Sequence, residues 1–125
     1  MNVRHAMTPV LLTAPAGTTV AEAASLMAQR RVGSALVVEE EQLLGIFTER
    51  DIVKALSQDA LAIHQEISHW MTRDPQTITP EASLDEALQR MVSGNFRHLP
   101  VMEGGRLVGM LSMRDVSRLS VGGSS

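Results

Sequence analysis

Residues 45–51 read GIFTERD, and residues 109–115 read GMLSMRD. In both stretches a glycine opens an apolar run, a hydroxyl residue follows three positions later, and an aspartate comes three positions after that. A Thr or Ser with an acidic residue in the following turn is typical of a helix start. Each stretch therefore predicts a strand that ends where a helix begins.

The rest of the chain repeats at the same offset of 64 residues, without a gap. Identical pairs outside the opening stretches include Met7-Thr8 with Met71-Thr72, Glu22-Ala23 with Glu86-Ala87, and Met27 with Met91. A register that holds through four successive elements indicates an internal duplication.

A helix is predicted near the start of each copy. Thr19 and Ser83 are each followed three residues later by a glutamate, which is the capping-box pattern. The apolar residues that follow recur at helical spacing. They are Val20, Ala23, Ala24, Met27 and Ala28 in the first copy, and Leu84, Ala87, Leu88, Met91 and Val92 in the second.

Short extended segments are predicted before these helices, and two strands after them. The strands cover residues 35–39 and 43–47 in the first copy, and 99–103 and 107–111 in the second. Gly104-Gly105 is a strong hairpin signal. The sequence thus predicts a β-α-β-β-α unit, written twice.

A copy of about 50 residues has too little interior to bury its own sheet face. We therefore expect an α/β (α+β) fold in which two repeats pack through their sheets with pseudo-twofold symmetry. A cleft between the repeats is the expected ligand site. The predicted boundaries are repeat 1 at 1–58, a linking helix at 59–70, repeat 2 at 71–121 and a flexible tail at 122–125.

Composition and motifs exclude several classes of protein. The net charge of −3 argues against a nucleic-acid binder. No apolar run approaches the roughly 20 residues of a membrane span or resembles a signal peptide, so we expect a cytoplasmic protein. The chain has no cysteine, and its four histidines match no metal-ligand spacing. No catalytic motif is present, so an enzyme is not expected.

Three motifs, two of them present in both copies, resemble those of CBS domains. Met7-Thr8-Pro9 and the MTRDP of residues 71–75 resemble the family's opening, and GIFTERD and GMLSMRD resemble its strand-to-helix motif. FRHLPV at residues 96–101 resembles the segment that enters the second strand. The resemblance covers residues 7–57 and 71–120. It implies a two-repeat Bateman module that binds an adenosyl compound such as AMP, ADP, ATP, NAD or S-adenosylmethionine, with no other cofactor.

The resemblance also implies roles for individual residues. The motif aspartate binds ribose hydroxyls and the Thr or Ser contacts phosphate, so these roles fall to Asp51 with Thr48 and to Asp115 with Ser112. Further phosphate contacts come from His98 and from the three candidate arginines, Arg50, Arg97 and Arg114. The candidate ligand-binding residues are Gly33, Ser34, Ala35, Thr48, Arg50 and Asp51 in repeat 1, and Ile78, Arg97, His98, Leu99, Pro100, Ser112, Arg114 and Asp115 in repeat 2.

Three functional interpretations remain open from the sequence. In one, the chain is a regulatory sensor: the ligand shifts its conformation or its homodimer, and an effector protein reads the shift. In another, it is a constitutive dimerisation scaffold whose motif hydroxyls and aspartates serve only as helix caps. A regulatory domain from a larger protein is a third interpretation, although Met1 and the Gly-Ser end favour a complete small protein.

Overall fold

The computed structural model describes residues 1–124, with side chains described for residues 1–119. Its helices are α1 (Val3–Ala6), α2 (Val20–Arg30), α3 (Glu49–Gln58), α4 (Leu84–Gly94) and α5 (Met113–Ser124). Its strands are β1 (Thr13–Ala14), β2 (Ser34–Glu39), β3 (Gln42–Thr48), β4 (Thr72–Arg73), β5 (His98–Glu103) and β6 (Arg106–Ser112). The predicted α/β class is confirmed, and each predicted strand between residues 35 and 111 lies inside an observed one.

The chain divides into two compact units. The first-repeat unit is Leu11–Pro75. The second-repeat unit is discontinuous, because Met1–Val10 joins the chain from Gln76 onward. The predicted linking helix at 59–70 is instead two short 3-10 helices, Ala60–His64 and Ile67–His69. The backbone of this segment instead forms hydrogen bonds with the chain just before and at the start of α2. The Ile67 N–H donates to the Thr18 carbonyl at 2.8 Å, and the Gln65 carbonyl accepts from the Val20 N–H at 2.9 Å.

The first-repeat unit contains a four-stranded sheet in the order β1-β2-β3-β4. β1 and β2 are parallel, whereas β3 pairs antiparallel with both of its neighbours. The β3–β4 register places Gly45 opposite Arg73. A Cβ at Gly45 would lie 2.6 Å from Met71 Sδ and 2.7 Å from the Thr72 carbonyl oxygen. The motif glycine therefore lets the Met-Thr segment lie directly on β3.

The second-repeat unit repeats this arrangement around the β5–β6 hairpin. Ile78 bridges Val101 in parallel on one side, and Thr8 bridges Met110 antiparallel on the other. Thr8 and Met110 exchange two backbone hydrogen bonds, each 2.8 Å long. A Cβ at Gly109 would lie 2.9 Å from the Thr8 carbonyl oxygen. Each Met-Thr opening therefore completes the sheet that contains the other copy's hairpin.

Each unit has its own hydrophobic core, and α1 contributes Val3 and Ala6 to the core of the second-repeat unit. The second-repeat core contains Val3, Ala6, Ile78, Leu84, Ala87, Met91, Leu99, Val101, Leu111 and Val116. The first-repeat core contains Leu12, Ala14, Val20, Ala23, Met27, Ala35, Val37, Phe47, Ile67 and Met71. Of the periodic apolar residues predicted for the two helices, the buried core members are Val20, Ala23 and Met27 in α2 and Leu84, Ala87 and Met91 in α4. Ala28 and Val92, also predicted, are exposed instead.

Helix α5 extends to Ser124, close to the C-terminus. This helix includes Gly122–Ser124, where the sequence predicted a tail, while Ser125 lies outside the described residues.

Candidate functional site

The junction of β6 and α5 is built around Ser112 and Asp115. The Asp115 Oδ2 atom accepts hydrogen bonds from the Ser112 hydroxyl at 2.8 Å and from the Ser112 N–H at 3.3 Å. In return, the Ser112 hydroxyl oxygen accepts from the Asp115 N–H at 3.1 Å. The aspartate is 8% exposed. The strand end thus holds a carboxylate in one orientation at the start of a helix.

The junction of β3 and α3 has the same bonds. Asp51 Oδ2 accepts from the Thr48 N–H at 2.9 Å and from its hydroxyl at 3.1 Å. The Thr48 hydroxyl oxygen accepts from the Asp51 N–H at 3.4 Å. These are reciprocal capping boxes, so the helix-cap interpretation of both motifs is realised. Each cap uses only the Oδ2 atom of its carboxylate, so Oδ1 is left to other donors, and at Asp115 that donor is Arg118.

The start of the neighbouring strand lies beside each junction. His98 is the register partner of Ser112, and the Arg97 carbonyl accepts from Met113 N–H at 2.8 Å. Ser34 pairs in the same way with Thr48. The Gly33 carbonyl accepts from Glu49 N–H at 3.1 Å. The structure therefore brings together the predicted Arg97-His98 with Ser112, and the predicted Gly33-Ser34 with Thr48.

Other predicted site residues are buried in the cores. Ile78 is 3% exposed, and Leu99 and Ala35 are fully buried. Pro100 is also buried, and its carbonyl accepts from Ile78 N–H at 3.0 Å. These residues position the strand ends through backbone pairing and core packing. Their side chains are not exposed at the surface of their units.

The arginines at the junctions are exposed. The predicted ones are Arg50, Arg97 and Arg114. Arg118 was not among the predicted residues, yet its Nη2 atom lies 3.2 Å from Asp115 Oδ1. The signal that could have identified it is the spacing of three residues, which places opposite charges on one helix face.

Burial sets the protonation behaviour of Asp51. Desolvation raises the pKa of its carboxyl above the ordinary value. Hydrogen bonds from the Thr48 N–H and hydroxyl act in the opposite direction, as do the charges of Lys54 and Arg50. The burial effect is the larger of the two. A ligand that donates hydrogen bonds to Asp51 would stabilise its ionised form.

This raised pKa predicts a pH effect with a defined sign. The contribution of Asp51 to the free energy of unfolding is fully present below its unfolded-state pKa, and it is lost as the pH rises through the folded-state pKa. As the pH rises from below the ordinary aspartate pKa through the raised one, the chain should therefore lose stability relative to Asp51→Asn. Urea unfolding of both chains across this range measures the difference. A difference that is constant or of the opposite sign would contradict the raised pKa.

Within residues 1–119, no three His, Cys, Asp or Glu side chains are grouped so that they could hold a metal ion. None of the described helices is long and apolar enough to cross a membrane.

The comparison with protein families identifies both repeats. The CBS domain model matches residues 3–58 and again residues 66–122. The chain belongs to the CBS domain family. The two matched segments are each continuous in sequence, but the compact units are not. The opening of the first repeat belongs to the second-repeat unit, and the opening of the second repeat belongs to the first-repeat unit.

Relatives and solved structures agree with this assignment. The chain is 41% identical over 104 residues to the CBS domain-containing protein CBSCBSPB1 of Arabidopsis thaliana, covering 82% of this chain but only 19% of that protein. The CBS domain pair of protein MJ0100, solved in complex with 5′-methylthioadenosine and S-adenosyl-L-methionine, superposes with a TM-score of 0.90. It is 29% identical, with 100% of this chain and 98% of that chain covered.

A second similar structure also contains an adenosyl compound. The CBS domain protein PAE2072 of Pyrobaculum aerophilum, complexed with AMP, superposes with a TM-score of 0.84 and is 27% identical. The match covers 92% of this chain and 89% of that chain.

Proposed function

We propose that this chain is a regulatory module that binds an adenosyl compound at its two strand-to-helix junctions. The observation that carries the proposal is the duplicated junction, in which a capping hydroxyl orients a carboxylate beside the start of the neighbouring strand. The carboxylate is buried at Asp115 and half-buried at Asp51. The structures of similar proteins with AMP, or with 5′-methylthioadenosine and S-adenosylmethionine, support the ligand class.

In this proposal Asp51 and Asp115 accept hydrogen bonds from the ribose hydroxyls. Each has one oxygen outside the capping box, and a carboxylate provides about four acceptor positions in total. Ribose presents two neighbouring hydroxyl donors, which match a single carboxylate.

A phosphate, where the ligand has one, would lie at the start of α3 or α5. Backbone N–H groups and the helix dipole favour an anion there. The Ser112 hydroxyl has one proton, which it now donates to Asp115. Donating it to a phosphate instead would free one acceptor position on Asp115 Oδ2, which would still accept from the Ser112 N–H. The exposed Arg97 and Arg114 would add charge-assisted contacts.

We further propose that binding shifts the conformation of the chain or a homodimer, and that an effector protein in the cytoplasm reads the shift. The shift is limited by the difference in ligand affinity between the two states. The chain spans about a fifth of the length of the Arabidopsis relative, so the activity of any longer assembly is part of this proposal.

A constitutive scaffold is the second candidate. The observation in its favour is that helix capping alone accounts for every hydrogen bond described at Asp51, and for those of Asp115 Oδ2. A scaffold would keep these residues as caps and ignore nucleotides.

Thermal unfolding with AMP, ADP, ATP, NAD, 5′-methylthioadenosine and S-adenosylmethionine distinguishes the two candidates. At 100 times the dissociation constant, a ligand adds about 2.7 kcal/mol to the free energy of unfolding. For a chain of this size, that corresponds to a rise of about 10 °C in the Tm. We expect a rise with at least one compound, and a smaller rise in Asp115→Ala and in Asp51→Ala.

The matched control is Glu22→Ala. Glu22 closes the same kind of capping box on Thr19, with its Oε1 accepting from the Thr19 hydroxyl at 2.9 Å and from the Thr19 N–H at 3.1 Å. It therefore loses a cap without changing either junction, and its ligand-induced rise should equal that of the unaltered chain. No rise with any compound, in protein freed of bound ligand, would favour the scaffold.

A further inference from the structure

The two junctions differ at the second oxygen of the aspartate. Asp115 Oδ1 lies 3.2 Å from Arg118 Nη2, and Oδ2 already accepts two hydrogen bonds from Ser112. Three of the roughly four acceptor positions of this carboxylate are therefore occupied. One position is left for a ligand.

The corresponding oxygen of Asp51 is not occupied in this way. The residue 64 positions before Arg118 is Lys54, which forms no ion pair with Asp51 in the part of the chain whose side chains are described. Asp51 Oδ2 accepts from Thr48 as Asp115 Oδ2 does from Ser112. About two acceptor positions are thus left at Asp51, the number that two ribose hydroxyls require.

We propose that Arg118 competes with the ligand for the Asp115 carboxylate and so makes the two ribose sites unequal. This inference rests on the proposed function. At the first-repeat junction both ribose hydroxyls bind Asp51 directly. At the second-repeat junction the second hydroxyl binds only when the Arg118 guanidinium moves away.

The geometry of the ion pair suits a displaceable group. Its length of 3.2 Å exceeds the 2.7–2.9 Å that is usual for a charge-assisted hydrogen bond. The Arg118 side chain is 67% exposed, whereas that of Asp115 is 12% exposed. The guanidinium can therefore swing into solvent while the carboxylate stays in place.

Calorimetric titration with adenosine tests this competition, because adenosine carries both hydroxyls and no phosphate. Asp51→Ala isolates the second-repeat site. In that background, Arg118→Ala should tighten adenosine binding about two- to five-fold, the range set by the strength of an exposed ion pair. Of 2′-deoxyadenosine and 3′-deoxyadenosine, at least one should show no such gain, since a single hydroxyl needs only the free position.

Salt provides a second measurement that needs no change at Arg118. Because salt weakens an exposed ion pair, adenosine binding to Asp51→Ala should tighten as the NaCl concentration rises, and this trend should vanish with Arg118→Ala. The matched control is Lys54→Ala in an Asp115→Ala background, which should not tighten binding at the first-repeat site.

Adenosine affinity that is unchanged or lower after Arg118→Ala, together with no salt trend, would overturn the competition while leaving the proposed function intact. Failure of adenosine and of all the nucleotides to bind the unaltered chain would overturn both.

Discussion

Aspartate in place of Val3 is expected to lower the free energy of unfolding by about 3 to 5 kcal/mol, because it leaves an unpaired charge in a core. Val3 is fully buried in a core whose other members, apart from Ala6, lie at least 75 positions later in the chain. Its N–H donates to the Ala82 carbonyl at 2.8 Å. The measurement is urea unfolding at neutral pH.

The control for this substitution is Val53→Asp. Val53 lies on α3 and is 68% exposed, so the same chemical change there should alter stability by no more than about 0.5 kcal/mol. Equal effects at the two positions would show that Met1–Val10 is not part of the second-repeat core.

Alanine in place of Gly45 is expected to cost about 1 to 3 kcal/mol, near the upper end of that range. The added Cβ would lie 2.6 Å from Met71 Sδ, which can move, and 2.7 Å from the Thr72 carbonyl oxygen, which is fixed by the sheet. The clash with the Thr72 carbonyl oxygen can be removed only by moving β4 away from β3. Thermal unfolding of the variant measures the loss.

Gly17→Ala is the matched control, since its Cβ would meet only Glu66 Oε1 at an ordinary 3.8 Å. There we expect no loss, or a small gain from reduced freedom of the unfolded chain. A Gly45→Ala chain as stable as Gly17→Ala would contradict the close packing of Met71-Thr72 on β3.

Local patterns were sufficient to predict the elements. The capping boxes at Thr19 and Ser83 and the helical spacing of the apolar residues placed α2 and α4 within a residue of their observed starts. The Gly104-Gly105 hairpin is also confirmed, with both glycines at positive φ. These features depend on neighbours in sequence, which a pattern can report.

Long-range pairings were outside the reach of such patterns. The exchange of Met7-Thr8 and Met71-Thr72 between the hairpins depends on which strand edges meet, and both openings read alike in the sequence. Likewise, Glu40 and Glu41 adopt positive φ because the β2–β3 register leaves only two residues for the turn. Neither glutamate favours that conformation locally.

The candidate site was predictable to a similar extent. The pairing of His98 with Ser112, and of Ser34 with Thr48, follows from the repeated motifs and strand spacing. The burial of Ile78 and Leu99 was not evident, since an apolar residue at a strand end suits either a core or a ligand pocket. The difference between Arg118 and Lys54 required side-chain positions.

The most direct test of the central claim is calorimetric titration of AMP and S-adenosylmethionine into the unaltered chain, the double variant Asp51→Ala/Asp115→Ala, and Glu22→Ala. We expect at least one ligand to bind the unaltered chain and Glu22→Ala with equal affinity. Its affinity for the double variant should fall at least about ten-fold, because each hydrogen bond to a charged group contributes roughly 1.5 to 3 kcal/mol. Binding to the double variant with undiminished affinity would show that these carboxylates are helix caps and nothing more.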